Sequence, residues 1–312
     1  MKAIGVDIGG MTIKVGLVDE NGKIIGENRV KTAKTADVCI DNLFLQIRTL
    51  LSQNNLTEKD IRGIGIGCPG LVDVEKGVVE HLPNLGWVNV PLVALLKEKF
   101  RTEIRISNDA NVATLGEVLF GAAKGYDSAV MFTLGTGVGG GIVINGKLYE
   151  GGKGRGAELG HTTLIMNGAP CTCGRNGCVE AYASATALIN QTKAAMCADG
   201  DSEMWKYVGG NIDAVDGRTA FECEKKGDPA AKRVVDNYVT YLSEAIMNML
   251  NIFRPPVFIL GGGISKEGKN LTTRITEYLE KFGYGYKFAP KTKIVTATLG
   301  NDAGIIGASA LV

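Results

Sequence analysis

Ala129-Val130-Met131-Phe132-Thr133-Leu134-Gly135-Thr136-Gly137-Val138-Gly139-Gly140 is an apolar strand that ends in a cluster of glycines. The same design opens the chain, where Ala3-Ile4-Gly5-Val6-Asp7-Ile8 leads into Gly9-Gly10. A returning strand follows each cluster, from Thr12 to Val18 and from Gly141 to Ile144. Asn21-Gly22 and Asn145-Gly146 then supply hairpin turns, because Asn-Gly accepts the positive φ angles that tight hairpins need. Helices and strands alternate after each hairpin. A repeated order of this kind predicts an α/β fold of two similar lobes with a cleft between them. The glycine clusters would face that cleft, where open α/β sheets bind ligands.

Working outward, an amphipathic helix is expected from about Asp37 to Ser52, with Ile40, Leu43, Phe44, Ile47, Leu50 and Leu51 on one face. Ile61 to Gly67 reads as a buried strand, followed by a helix near Pro91 to Phe100, a strand from Glu103 to Ile106 and a helix from Asn111 to Gly121. In the second half, helices are expected near Glu180 to Ala198 and Gly217 to Lys226. A long helix starts at Asp228-Pro229, with proline at its first position, and stops before Pro255-Pro256. A strand from Val257 to Leu260 ends in Gly261-Gly262-Gly263; a helix near Lys266 to Phe282, a strand near Thr292 to Thr296 and a last helix from Asp302 complete the chain. The expected division is a small lobe, 1–115 with helix 302–312 crossing back to it, and a large lobe, 116–301.

Composition narrows the function. Lys and Arg total 34 against 33 Asp and Glu, so no basic excess points to nucleic acid and no polybasic run points to a membrane. The start of the sequence lacks a signal-peptide pattern, which makes the cytoplasm the expected compartment and the 7 cysteines reduced thiols. Cys39, Cys68, Cys197 and Cys223 are scattered and expected to be buried or neutral.

Gly135 to Gly140 matches the dinucleotide-binding fingerprint in letters but fails in context, since that fingerprint must open a helix and a strand follows here. What remains is two glycine-rich hairpin tips, whose unshielded amides can approach phosphate oxygens. Turn formation alone would explain either tip; two equivalent tips beside an acidic residue favour phosphate. Asp7 ends the first strand, where a carboxylate could hold hydrated Mg2+ against nucleotide phosphates. Asp109 precedes a helix and could be only its N-cap. Phosphoryl transfer, however, needs a carboxylate to take the proton of the attacking hydroxyl.

A separate stretch reads Glu158-Leu159-Gly160-His161, then Cys171-Thr172-Cys173-Gly174-Arg175-Asn176-Gly177-Cys178-Val179-Glu180. His161 with Cys171, Cys173 and Cys178 is a ligand set for a closed, structural zinc site. A disulfide or packed thiols would be the bland alternative, but a Cys171–Cys173 bridge would close a very short loop. Zinc prefers thiolate and imidazole, so Glu158 and Glu180 are left to face a substrate.

These residues together resemble the ROK family of sugar kinases and related repressors over essentially the whole chain. The motifs are Asp7-Ile8-Gly9-Gly10, Pro69-Gly70, Asn108-Asp109-Ala110-Asn111 with Gly116-Glu117, Gly135-Thr136-Gly137, Glu158-x-Gly160-His161, and the cysteine run ending at Glu180. The resemblance, nearest to bacterial glucokinases, implies an actin-like (ribonuclease H-like) duplicated fold that closes around sugar and ATP. It implies Asp109 as the base acting on the sugar 6-hydroxyl, with Asn108, Glu158, His161 and Glu180 holding other hydroxyls and Gly70 and Asn84 lining the pocket. Asp7, Gly9, Gly10, Thr12, Lys14, Gly135, Thr136, Gly137 and Gly262 would line the ATP side. A homodimer is implied as well. Leu82-Pro83-Asn84-Leu85-Gly86-Trp87 is similar to the glucokinase version, which puts glucose ahead of N-acetylglucosamine, N-acetylmannosamine, allose or fructose. The related repressors carry a DNA-binding helix-turn-helix ahead of the first phosphate loop, and the early position of Asp7 is expected to exclude one. One departure stands out: the family usually has threonine directly after the two glycines, and this chain has Met11.

Overall fold

The computed structural model describes residues 1–288 and 290–312. In chain order the first elements are β1 (Lys2–Ile8), β2 (Thr12–Val18), β3 (Ile24–Lys31), α1 (Ala36–Gln53), β4 (Ile61–Cys68), β5 (Leu71–Asp73), β6 (Val78–Leu82), β7 (Trp87–Val90), α2 (Leu92–Lys97), β8 (Glu103–Asn108) and α3 (Asp109–Phe120). The duplication then begins with β9 (Ala129–Leu134), β10 (Val138–Ile144) and β11 (Lys147–Leu148). After them come α4 (Glu180–Ala183), α5 (Ala185–Ala198), α6 (Glu203–Tyr207), α7 (Thr219–Glu224), α8 (Pro229–Phe253), β12 (Val257–Gly262), α9 (Lys269–Phe282), β13 (Lys293–Thr296) and α10 (Ala303–Ser309).

The chain divides into two compact units: Met1–Ala129 with Gly141–Ala157 and Thr298–Val312, and Val130–Gly140 with Glu158–Ala297. The first unit thus extends past residue 115, because α3 is one continuous helix to Phe120, and it takes in the end of the second hairpin as well. Its sheet has the order β3-β2-β1-β4-β8, with β1 antiparallel to β2 and parallel to β4, and β4 parallel to β8. A core of Ile4, Val6, Ile13, Val15, Ile64 and Ile66 packs against Leu43 and Ile47 of α1, all fully buried. The second sheet runs β11-β10-β9-β12-β13, and α8 supplies a buried face that includes Val234, Tyr238, Leu242 and Ile246.

Helix α10 lies in the first unit against α3, β1 and β4. Glycines allow this approach: a Cβ on Gly65 would lie 1.7 Å from the Ala308 carbonyl oxygen, and one on Gly307 would lie 1.6 Å from that of Val112. No side chain fits at either place.

Four expectations need correction. The helix expected from Glu180 to Ala198 is two helices, broken where Ser184 turns extended and its side chain caps Ala187 N. The helix expected near Lys266 starts at Lys269, after a 3-10 turn over Gly263–Glu267 and Gly268 at φ 58°. A three-stranded antiparallel sheet, β5-β6-β7, stands where no strand was expected. Cys197 is exposed, whereas Cys39, Cys68 and Cys223 are buried.

Candidate active site

In the first unit the tip between β1 and β2 is held by local hydrogen bonds. Gly9 N donates to Thr12 O at 3.0 Å, Thr32 Oγ1 to Gly9 O at 2.6 Å and Thr32 N to Met11 O at 3.0 Å. Gly10 opens onto free space, while Met11 and Thr12 are exposed, Met11 to 84%. Asp7 pairs in register with Lys14, whose Nζ lies 3.7 Å from Asp7 Oδ2 and donates to Asn301 O at 2.6 Å. Burial raises the Asp7 carboxyl above its usual value, and the Lys14 ammonium works against that shift.

At the end of β8, Asn108 and not Asp109 is the N-cap of α3. Its Oδ1 accepts from Ala110 N at 2.8 Å and Asn111 N at 3.4 Å, while its Nδ2 donates to Gly70 O at 3.4 Å. The N-cap is therefore Asn108, and half-buried Asp109 stands as the first residue of the helix, its Oδ1 also accepting from Ala110 N at 2.9 Å. Asn108 thereby brings Gly70 and Asp109 to one place. Asn84 is exposed in the 3-10 turn Pro83–Leu85 that follows β6.

In the second unit the glycine tip is held from α5: Ala185 N donates to Gly135 O and Thr186 Oγ1 to Thr136 O, each at 2.8 Å. Gly262 ends β12, which neighbours β9 in the sheet, and its carbonyl accepts from Ser265 Oγ at 2.7 Å. Glu180 joins this tip to the cysteine run. Its Oε2 accepts from Val138 N at 3.1 Å, and its Oε1 accepts from Thr172 Oγ1 at 2.9 Å and lies 3.5 Å from Cys171 Sγ. Gly137 must be glycine for this, since a Cβ there would fall 2.2 Å from Glu180 Oε2.

The ligand atoms of His161, Cys171, Cys173 and Cys178 lie within 4.8 Å of one another, the one cluster of three or more His, Cys, Asp or Glu among the described residues placed to hold a metal ion. Cys173 Sγ and Cys178 Sγ are 3.7 Å apart, as are Cys171 Sγ and His161 Nδ1. A tetrahedral ion with metal–sulfur bonds of about 2.3 Å would space its sulfurs about 3.8 Å apart, so the residues fit one. The Arg175 amide holds the Cys173 thiol below its usual value, and burial pushes Cys171 up to about 12. With Nδ1 turned to the sulfurs, Nε2 of His161 is the nitrogen left for another partner. Burial also raises the Glu158 carboxyl, opposed by His161 and reinforced by Glu180.

The family model described as "ROK family" matches residues 3–312. The chain belongs to the ROK family. It is 36% identical over 313 residues to the glucokinase of Halalkalibacterium halodurans, covering 99% of this chain and 94% of that protein. To the glucokinase of Thermotoga maritima it is 37% identical over 320 residues, covering 100% and 97%. Among solved structures, a ROK family glucokinase from Streptomyces griseus in complex with glucose and AMPPNP is 33% identical with a TM-score of 0.83, covering 100% and 99%. The fold is that of the actin-like sugar kinases.

Within this ROK chain, the residues expected at the site divide between the units: Asp7, Gly9, Gly10, Thr12, Lys14, Gly70, Asn84, Asn108 and Asp109 belong to the first, and Gly135, Thr136, Gly137, Glu158, His161, Glu180 and Gly262 to the second. Sequence reasoning missed Arg175, whose guanidinium donates to His161 O at 3.1 Å and Thr163 Oγ1 at 2.8 Å and so staples the cysteine run. Its place inside the run was the available signal. Thr172 and Ser107 were missed too; nothing local marks either.

Proposed function

We propose that this chain transfers the γ-phosphoryl group of ATP to the 6-hydroxyl of a hexose, glucose being the preferred sugar. The observation that carries the reading is Asp109: a half-buried carboxylate at the first position of α3, beside the N-cap Asn108 that also reaches Gly70. The glucokinase relatives at 36–37% identity support the sugar, against 29–30% for related xylose repressors.

In this mechanism Asp109 takes the proton of the 6-hydroxyl as its oxygen bonds to the γ-phosphorus, and the bond from that phosphorus to the β–γ bridging oxygen breaks to release ADP. Asn108, Glu158, His161 and Glu180 fix the other hydroxyls, with Gly70 and Asn84 lining the pocket. Glu180 already accepts protein donors on both oxygens, so it has lone pairs at fixed directions for a sugar hydroxyl. The amides around Gly9, Gly10 and Gly135 to Gly137, with Thr12, Thr136, Lys14 and Gly262, face the nucleotide. Asp7 would hold Mg2+ through water, and the ion would neutralise charge on the phosphates. His161, Cys171, Cys173 and Cys178 would hold a structural zinc that braces Glu158 and Glu180. We take the protein to be a cytoplasmic homodimer, the dimer being what the family resemblance implies. Among the described residues no helix is long and apolar enough to cross a membrane.

The test is a panel of hexoses and acylhexosamines with ATP and Mg2+, reading ADP release as kcat/KM. Glucose should lead the panel; turnover of none would defeat the proposal.

A further inference from the structure

The chain leaves the first unit along Glu150-Gly151-Gly152-Lys153-Gly154-Arg155-Gly156-Ala157, and the next residue is Glu158. Four glycines in eight residues would by composition make a loose connector. It is instead fastened along its length. Gly156 N donates to Glu150 O at 2.8 Å, and Val74 N to Lys153 O at 3.3 Å. The buried Ser107 hydroxyl, one residue before Asn108, donates to the Glu150 carboxylate. The Arg155 guanidinium donates to Glu80 on β6 and lies 3.9 Å from Asp73 Oδ2 on β5.

Two features indicate that these ties hold the connector against resistance. Lys153 at φ 59° and Ala157 at φ 62° are left-handed without being glycine, a conformation that persists where its surroundings enforce it. Asp73 is 1% exposed and its Oδ2 has no hydrogen-bond partner, so a buried charge calls for a nearby cation. Arg155 and Lys76, each 3.9 Å away, are the cations that answer it.

The sheet that receives Arg155 is also the one whose ends carry two expected sugar contacts, Gly70 just before β5 and Asn84 just after β6. We infer that Arg155 is a positioning residue for sugar recognition: by tying the connector to β5 and β6, it fixes the backbone that runs through Ala157 into Glu158. The inference rests on the reading of Glu158 as a sugar contact. Arg155 itself touches neither sugar nor nucleotide in this assignment.

The test compares Arg155→Met, Arg155→Lys, Glu80→Gln and Glu158→Gln in the full chain, measuring kcat, both KM values and the glucose Kd by calorimetry. Arg155→Met should raise the glucose KM and Kd together by about 5–20-fold, with kcat and the ATP KM within about twofold of the parent. Arg155→Lys should recover part of that loss, and Glu80→Gln should show a smaller one. If Arg155→Met folds poorly because buried Asp73 keeps only Lys76 as a cation, the pair Asp73→Asn with Arg155→Met removes that charge and should still bind glucose weakly. Parental glucose affinity in a folded Arg155→Met protein, alongside weakened binding in Glu158→Gln, overturns the inference alone. Parental affinity in Glu158→Gln overturns the assignment of Glu158 and the inference with it.

Discussion

The carboxylate of Glu117 accepts the backbone amides of both Thr298 and Leu299, at 3.0 and 2.8 Å. It also takes Ala122 N at 2.8 Å, and it is fully buried. Helix α3 therefore begins with the proposed base and ends by gripping the segment that leads into α10. Glu117→Gln would set an amide NH2 against these donors and should cost about 1–3 kcal/mol, read as a shift of the urea midpoint with unchanged slope. A midpoint equal to that of the parent would show that the grip is energetically idle.

Asp109→Ala should lower kcat by about 10²–10⁴-fold while the glucose Kd stays within about threefold, because capping of α3 rests on Asn108. The coupled ADP assay and calorimetry check this. Appreciable residual turnover would reassign the base.

Cys173→Ala should lose zinc and glucose affinity together, since Cys171 and Thr172 flank the Glu180 carboxylate within the same run. Metal content by mass spectrometry and glucose Kd are the paired readouts. A metal-free variant that binds glucose normally would remove the bracing role.

For Asp7 the sign follows from burial. Its folded-state pKa is raised above 3.8, so the folded protein holds that proton more tightly than the unfolded chain does. The stabilising contribution is present below pH 3.8 and is lost as pH rises through the raised value, leaving the ionised group a net cost at neutral pH. Asp7→Asn should accordingly melt at the same temperature or about 1–4 °C higher at pH 7, while turnover with Mg2+ and ATP collapses. A clear drop in melting temperature would mean that the Lys14 pairing outweighs desolvation.

Met11→Thr should lower the ATP KM by about 2–10-fold, because a hydroxyl donor would replace a thioether at an exposed position of the first phosphate tip. An unchanged KM would assign that part of the triphosphate to Thr12 and the backbone amides.

The duplication and the metal group were legible in the sequence for a common reason. Strand periodicity, Asn-Gly turns and the spacing of His161, Cys171, Cys173 and Cys178 are local properties. Strands β5 to β7 were not legible, being three to five residues each and defined by their pairing. Ser184 interrupts an otherwise helical pattern because its hydroxyl serves Ala187 N, and serine alone does not announce that choice. The partners of Glu150, Arg155 and Arg175 depend on which distant strand or loop arrives beside them, and a charged residue carries no mark of its partner.

The glycines beneath α10 have a consequence for synthesis. Gly65 and Gly307 leave slots shaped for the backbone of Ala308 and Val112, so the sheet of the first unit keeps an uncovered face until Thr298–Val312 have left the ribosome. The strands made first therefore wait for a segment about three hundred residues later before their sheet is covered, and that long sequence separation is expected to slow closure of the first unit.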